Sequence, residues 1–114
     1  MEINNFEYSG FIVSNNVIVG RPIRYTFREK SEIAKLNGWT IYSYDDDDEY
    51  VNDANNFQIV WGNTIFKLAP VMLEIFKAPY GTDLCWLYED NVHTGFYDLK
   101  SEKEKRIKQI LESE

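Results

Sequence analysis

Cysteine, histidine and proline are scarce in this chain: Cys85 and His93 are the only residues of their kinds, and three prolines serve 114 residues. A lone cysteine forms no internal disulfide, which suits a reducing cytoplasm. One cysteine and one histidine cannot supply a soft metal-ligand set, so zinc is excluded and a carboxylate-only site would take a hard ion. Long apolar runs are missing too. No stretch approaches the length of a bilayer span, and the opening MEINNFEYSG lacks a basic start followed by an apolar run, so the chain reads as cytoplasmic and soluble, with no membrane partner. Positive charge is in the minority, 12 Lys and Arg against 19 Asp and Glu for a net charge of -7, which disfavours nucleic acid as a partner because phosphate binding needs a positive surface. A macromolecular partner would be basic. No glycine-rich phosphate cradle follows a strand, and no cofactor is expected.

A hydrophobic content of 44%, with 16% aromatics, is enough for one packed domain spanning residues 1–114. FIVSNNVIVG reads as a hairpin turning at Asn15 and Asn16. IRYTFR alternates, Ile23, Tyr25 and Phe27 on a core face and Arg24, Thr26 and Arg28 on the other. SEIAKLNG reads as a short helix capped by Ser31 and stopped at Gly38. WTIYSY is a strand with Trp39, Ile41 and Ser43 opposed to Thr40, Tyr42 and Tyr44, and FQIVW is another. TIFKL is ambiguous between strand and helix, whereas PVMLEIFKAP starts a helix at Pro70 and ends it before Pro79. DLCWLY and VHTGFYDL flank the turn signal EDN as a second hairpin. The tail, residues 100–114, reads as a C-terminal helix with Ser101 as cap and a narrow stripe of Ile107, Ile110 and Leu111. These elements make an α+β fold: a single small domain, mostly antiparallel sheet, with two or three short helices.

The richest segment is YSYDDDDEYVND, which sets Asp45, Asp46, Asp47, Asp48 and Glu49 in a row among Tyr42, Tyr44 and Tyr50, in a loop at a strand end. An EF-hand counted from Asp45 would need glycine sixth and glutamate twelfth; Tyr50 and Asn56 stand there instead. Cys85 could serve as a nucleophile if the second hairpin brought His93 to it, although the apolar surroundings of Cys85 favour a buried, inert thiol. Four readings stay open: a solvated loop, a docking surface for a basic partner, a cation- or small-molecule-binding regulatory module, and a small Cys/His hydrolase. Exposed like charges contribute little to stability, so asparagine at Asp45 to Asp48 is expected to leave folding almost intact.

Short motifs recur in order along the chain: VSN at Val13 to Asn15, YxFRE at Tyr25 to Glu29, Gly38–Trp39, DDxEY ending in Glu49 and Tyr50, NDxNN at Asn52 to Asn56, NTI at Asn63 to Ile65, Pro70, and APxG at Ala78 to Gly81. Together they resemble the bacterial immunity protein thirty-three family of polymorphic toxin systems, most strongly over residues 11–81. Tyr44 stands where the family pattern has glycine, so this turn is expected to differ. The resemblance implies a cytoplasmic, non-enzymatic protein that neutralises a cognate toxin domain by binding it. The residues best suited to such a partner are Tyr44, Asp45, Asp46, Asp47, Asp48, Glu49 and Tyr50, with Arg28 beside them. Tyrosine supplies contact area with a polar tip, and concentrated negative charge steers a basic partner.

Overall fold

Alternating apolar residues build a seven-stranded sheet in the computed structural model, which describes residues 9–33 and 35–112. In chain order the elements are β1 (Gly10–Ser14), α1 (Asn15–Ile18), β2 (Ile23–Arg28), β3 (Leu36–Ser43), α2 (Asp48–Val51), a 3-10 turn (Ala54–Asn56), β4 (Phe57–Trp61), α3 (Gly62–Leu68), α4 (Val71–Ile75), β5 (Asp83–Glu89), β6 (Val92–Asp98), β7 (Lys103–Lys105) and α5 (Ile107–Glu112). Across the sheet the strands run β4-β1-β3-β2-β5-β6-β7. Every neighbouring pair is antiparallel except β1 and β3, which are parallel. The result is a single compact α+β domain with more helices than expected, all short.

The helices α3, α4 and α5 cover one face. Ile65, Met72, Ile75 and Ile110 from that layer meet Phe11, Val13, Trp39, Ile41, Leu84, Trp86 and Phe96 from the strands in one continuous buried core. Both indoles inside it are paired: the Trp39 N–H donates to the Phe76 carbonyl at 3.1 Å and that of Trp86 to the Thr26 hydroxyl at 3.2 Å. Gly38 lies inside β3 with φ at +93°, and a Cβ there would meet the Glu29 carbonyl oxygen at 2.2 Å. The close pairing of β3 with the end of β2 therefore requires glycine, and it delivers Trp39 into the core.

Several expectations change. No hairpin turns at Asn15 and Asn16. The Ser14 hydroxyl accepts the Asn16 N–H at 3.2 Å and starts α1, which buries Val17, so β1 finds its partners further along the chain, in β3 and β4. No helix forms over the described residues of the Ser31–Gly38 segment; the Ser31 hydroxyl accepts the Ile33 N–H at 3.1 Å to close a local turn, and Leu36 to Gly38 already belong to β3. Residue 34 of that segment lies outside the described residues, as does the opening octapeptide. TIFKL is helical. In the tail, Lys103–Lys105 add an edge strand to β6 and the helix begins only at Ile107; Ser101 donates to the Asp98 carboxylate at 2.9 Å instead of capping it.

The most consequential change concerns β2. A register shift between Ile23 and Tyr25 reverses the phase of the alternation, so Thr26 is fully buried against the helix layer while Tyr25 and Phe27 face away from it. One extra residue in a bulge moves every following side chain to the other face.

Candidate functional site

The acidic run leaves β3 where Ser43 pairs with Ile23, and it is a structured turn more than a loop. Its five acids differ in circumstance. Asp45 forms an exposed ion pair with Arg21. Asp46 is 6% exposed and accepts two hydrogen bonds at 2.8 Å, from the Ser43 N–H and the Asn16 side-chain amide, which ties the turn to α1. Asp47 caps α2 by accepting the Tyr50 N–H at 2.8 Å. Asp48 and Glu49 occupy the first turn of α2, where negative charge suits the helix terminus, and both are exposed with no side-chain partner among the described residues.

The tyrosines are anchored at one end and open at the other. Tyr44, 48% exposed, donates its hydroxyl to the Trp86 carbonyl at 3.1 Å and packs edge-on against Tyr88, ring centroids 5.5 Å apart. Tyr50 is half-buried; its carbonyl accepts the Asn56 amide at 2.9 Å, and its ring approaches Phe57 at 6.2 Å. Val51 and Ala54, just beyond, border a shallow depression of about 380 Å³ together with Phe27, Glu29, Tyr42 and Phe57. A second, of about 350 Å³, is bordered by Asp46, Asp47, Asp48, Arg24, Tyr25, Tyr42 and Cys85. The acidic turn thus stands at the margin of the sheet face that the helices leave open.

Arg28 is not part of this group. It sits opposite Trp39, five strand positions and about 17 Å from the end of β2 where the turn begins. Its Nε donates to the Asn37 carbonyl at 3.0 Å and its Nη1 to the carbonyls of Phe76 and Ala78 at 3.0 and 2.8 Å, while its guanidinium lies 4.6 Å from the Tyr80 ring centroid. Burial lowers its pKa from the ordinary arginine value. Carbonyls of the fold hold the side chain that was expected to serve a partner.

Cys85 and His93 do not form a reactive pair. Cys85 stands opposite Tyr97 on the open face, half-buried, and burial pushes its thiol above the usual range, with Arg24 opposing. His93 lies opposite Tyr88, its ring 4.5 Å from Trp86 and 4.8 Å from Phe96 on the core side, and burial lowers its pKa. Among the described residues, no three His, Cys, Asp or Glu side chains converge as a metal site would need. No helix among them is long and apolar enough to cross a membrane.

The Immunity protein Imm33 domain model matches residues 11–100 of this sequence. The chain belongs to that family. The match takes in the whole sheet except part of β1 and β7, and it extends beyond the motifs ending at Gly81 to include the β5–β6 hairpin. Imm33 membership places the protein among immunity proteins and implies a cognate toxin as partner. No curated protein and no solved structure gives a significant match. Sequence reasoning missed the open face of this Imm33 domain because it assigned Tyr25 and Phe27 to the core; the only warning was that both faces of β2 and β3 carry large side chains.

Proposed function

We propose that this protein neutralises a cognate toxin domain in the cytoplasm by binding it directly, without catalysis, through the acidic turn Tyr44 to Tyr50. The observation that carries the reading is the pair Asp48 and Glu49, exposed and unpartnered among the described residues at the tip of a turn whose other acids are fixed by the fold. A rigid turn holding free carboxylates presents a focused negative potential to a basic partner at little entropic cost. Arg28 serves the fold in this reading.

A toxin domain found encoded beside this gene, produced with its activity abolished, would serve as the probe. Association of the wild type should be fast at low salt and slow as salt rises, because screening shortens the reach of the turn's charge. Asp48→Asn combined with Glu49→Gln should slow association several-fold at low salt and leave dissociation nearly unchanged. Co-expression of the chain with active toxin should restore growth. Failure of the wild type to bind or protect would end the immunity-by-binding reading, and an unchanged salt dependence in the double variant would remove the turn from the binding surface.

A further inference from the structure

The sheet face away from the helices is more apolar than a solvated face needs to be. Strand pairing places Ile12, Tyr25, Phe27, Tyr42, Phe57 and Ile59 on it. Their rings form a connected row: Tyr25 and Phe27 lie 5.3 Å apart, Tyr42 is 5.7 and 5.6 Å from them, and Phe57 is 5.4 Å beyond Tyr42. Val51 and Ala54, from α2 and the 3-10 turn, border this row, with the Tyr50 ring 6.2 Å from Phe57 and Leu99 beside Tyr25 and Tyr42. Ile59 is 42% exposed. An antiparallel sheet with one solvated face normally carries polar residues there, and this one carries aromatics.

The charges bordering the rings are mostly negative. Glu29, Asp47 and Asp48 line the two depressions, Asp83 accepts the Tyr25 hydroxyl, and Arg24 is the single cation among the described lining residues. That margin discriminates between occupants. Nucleobases would stack on such rings, but an acidic border repels the phosphates that accompany them. A second copy of this chain would bring two acidic turns against each other, and like charges across an interface are costly. A basic protein surface meets neither objection, because arginine and lysine side chains lie favourably on aromatic faces while their heads reach the carboxylates.

We propose that this face is the anchoring half of the toxin-binding surface and takes a basic protein partner whose arginine or lysine side chains lie across the Tyr42 and Phe57 rings toward Glu29, Asp47 and Asp48. The inference rests on the immunity reading above. It divides the work between steering by the acidic turn and retention by the aromatic row, since buried aromatics dominate dissociation.

The test measures binding of the inactivated toxin domain to wild type, to Ile59→Lys and Tyr42→Ser, and to Val92→Lys as a control at the β5–β6 turn, with thermal unfolding of each chain to verify folding. Ile59 is already exposed, so Ile59→Lys keeps the fold while placing a cation where a basic partner must settle. Expected is a rise in Kd of about tenfold or more for Ile59→Lys, mainly through faster dissociation, and a change of less than about twofold for Val92→Lys. Hydrogen exchange on the wild-type complex should show protection along β1, β3 and β4. Binding by the wild type with Ile59→Lys unimpaired, or protection confined to the helix side, overturns this inference and leaves the immunity reading standing. Absence of binding by the wild type overturns both. A wild-type dimer that Ile59→Lys dissociates would assign the face to a second copy and equally overturn the proposal.

Discussion

On the helix-covered face Phe11, Trp39 and Ile41 are fully buried and the indoles of Trp39 and Trp86 are hydrogen-bonded, whereas on the opposite face Tyr25, Phe27, Tyr42 and Phe57 lie half-buried, ring against ring. Both sets come from the same sheet, and both are bulky. What separates them is the second layer: Ile65, Met72, Ile75 and Ile110 close over one side and nothing comparable among the described residues closes over the other. Tyrosine hydroxyls mark the difference chemically. Those on the open side reach its margin, as Tyr25 does in donating to Asp83, while the indoles of the covered side bond to groups in the interior.

The widest gap between the faces should appear in stability. Trp39→Ala removes a fully buried indole and is expected to cost about 3–5 kcal/mol, while Phe57→Ala on the open side should cost about 1–2 kcal/mol. Urea unfolding of the two variants measures this, and equal losses would erase the distinction. Arg28→Met comes next: it leaves the carbonyls of Asn37, Phe76 and Ala78 without their charged donor and should cost about 2–3 kcal/mol, with no change in the association rate of a partner. A change in that rate would return Arg28 to the binding surface.

Within the acidic turn the same comparison can be sharpened one residue at a time. Asp46→Ala strands the Ser43 N–H and the Asn16 amide and is expected to cost about 1–3 kcal/mol, whereas Asp48→Ala should fall within about 0.5 kcal/mol of wild type. The run is therefore not a uniform set of dispensable charges. Replacing all four aspartates together would confuse folding with binding.

The smallest effect concerns pH. His93 is held below its ordinary value of 6.5 by burial, so as pH falls the unfolded chain takes up this proton before the folded one does. Its contribution is intact above 6.5 and is lost as pH drops from there toward the folded value. His93→Phe should flatten the fall in thermal midpoint below pH 6.5 that is expected of the wild type. An equally steep fall in the variant would place the titration elsewhere.

Where local chemistry decided the structure, the sequence was readable. Asp90 and Asn91 adopt the positive φ that turns the β5–β6 hairpin, Pro70 opens α4, and Trp39 follows Gly38 into the core. Where distant pairing decided it, the sequence was silent. Asn15 and Asn16 look like a hairpin until β1 is seen beside β3 and β4, and Ser31 to Gly38 look helical until β1 claims Leu36 for β3. The phase of β2 depended on a bulge, which period-two alternation does not announce. For the candidate site, the exposure of Asp48 and Glu49 was legible from charge density, but the burial of Asp46 required knowing that α1 stands beside it.

The parallel pairing of β1 with β3 also sets the order in which the chain can assemble. Both neighbours of β1 are supplied later, the first by residues 36–43 and the second by residues 57–61, so a chain emerging from the ribosome carries the apolar GFIVS segment without its second sheet partner until Trp61 has appeared. Long-range pairing of this kind slows folding relative to hairpin-first assembly. The C-terminal β5–β6 hairpin can close at once on its own turn, yet it docks only through β2. The β4-β1-β3-β2 part of the sheet is thus available once Trp61 has been made, and the β2–β5 pairing joins it to the β5–β6–β7 part that follows.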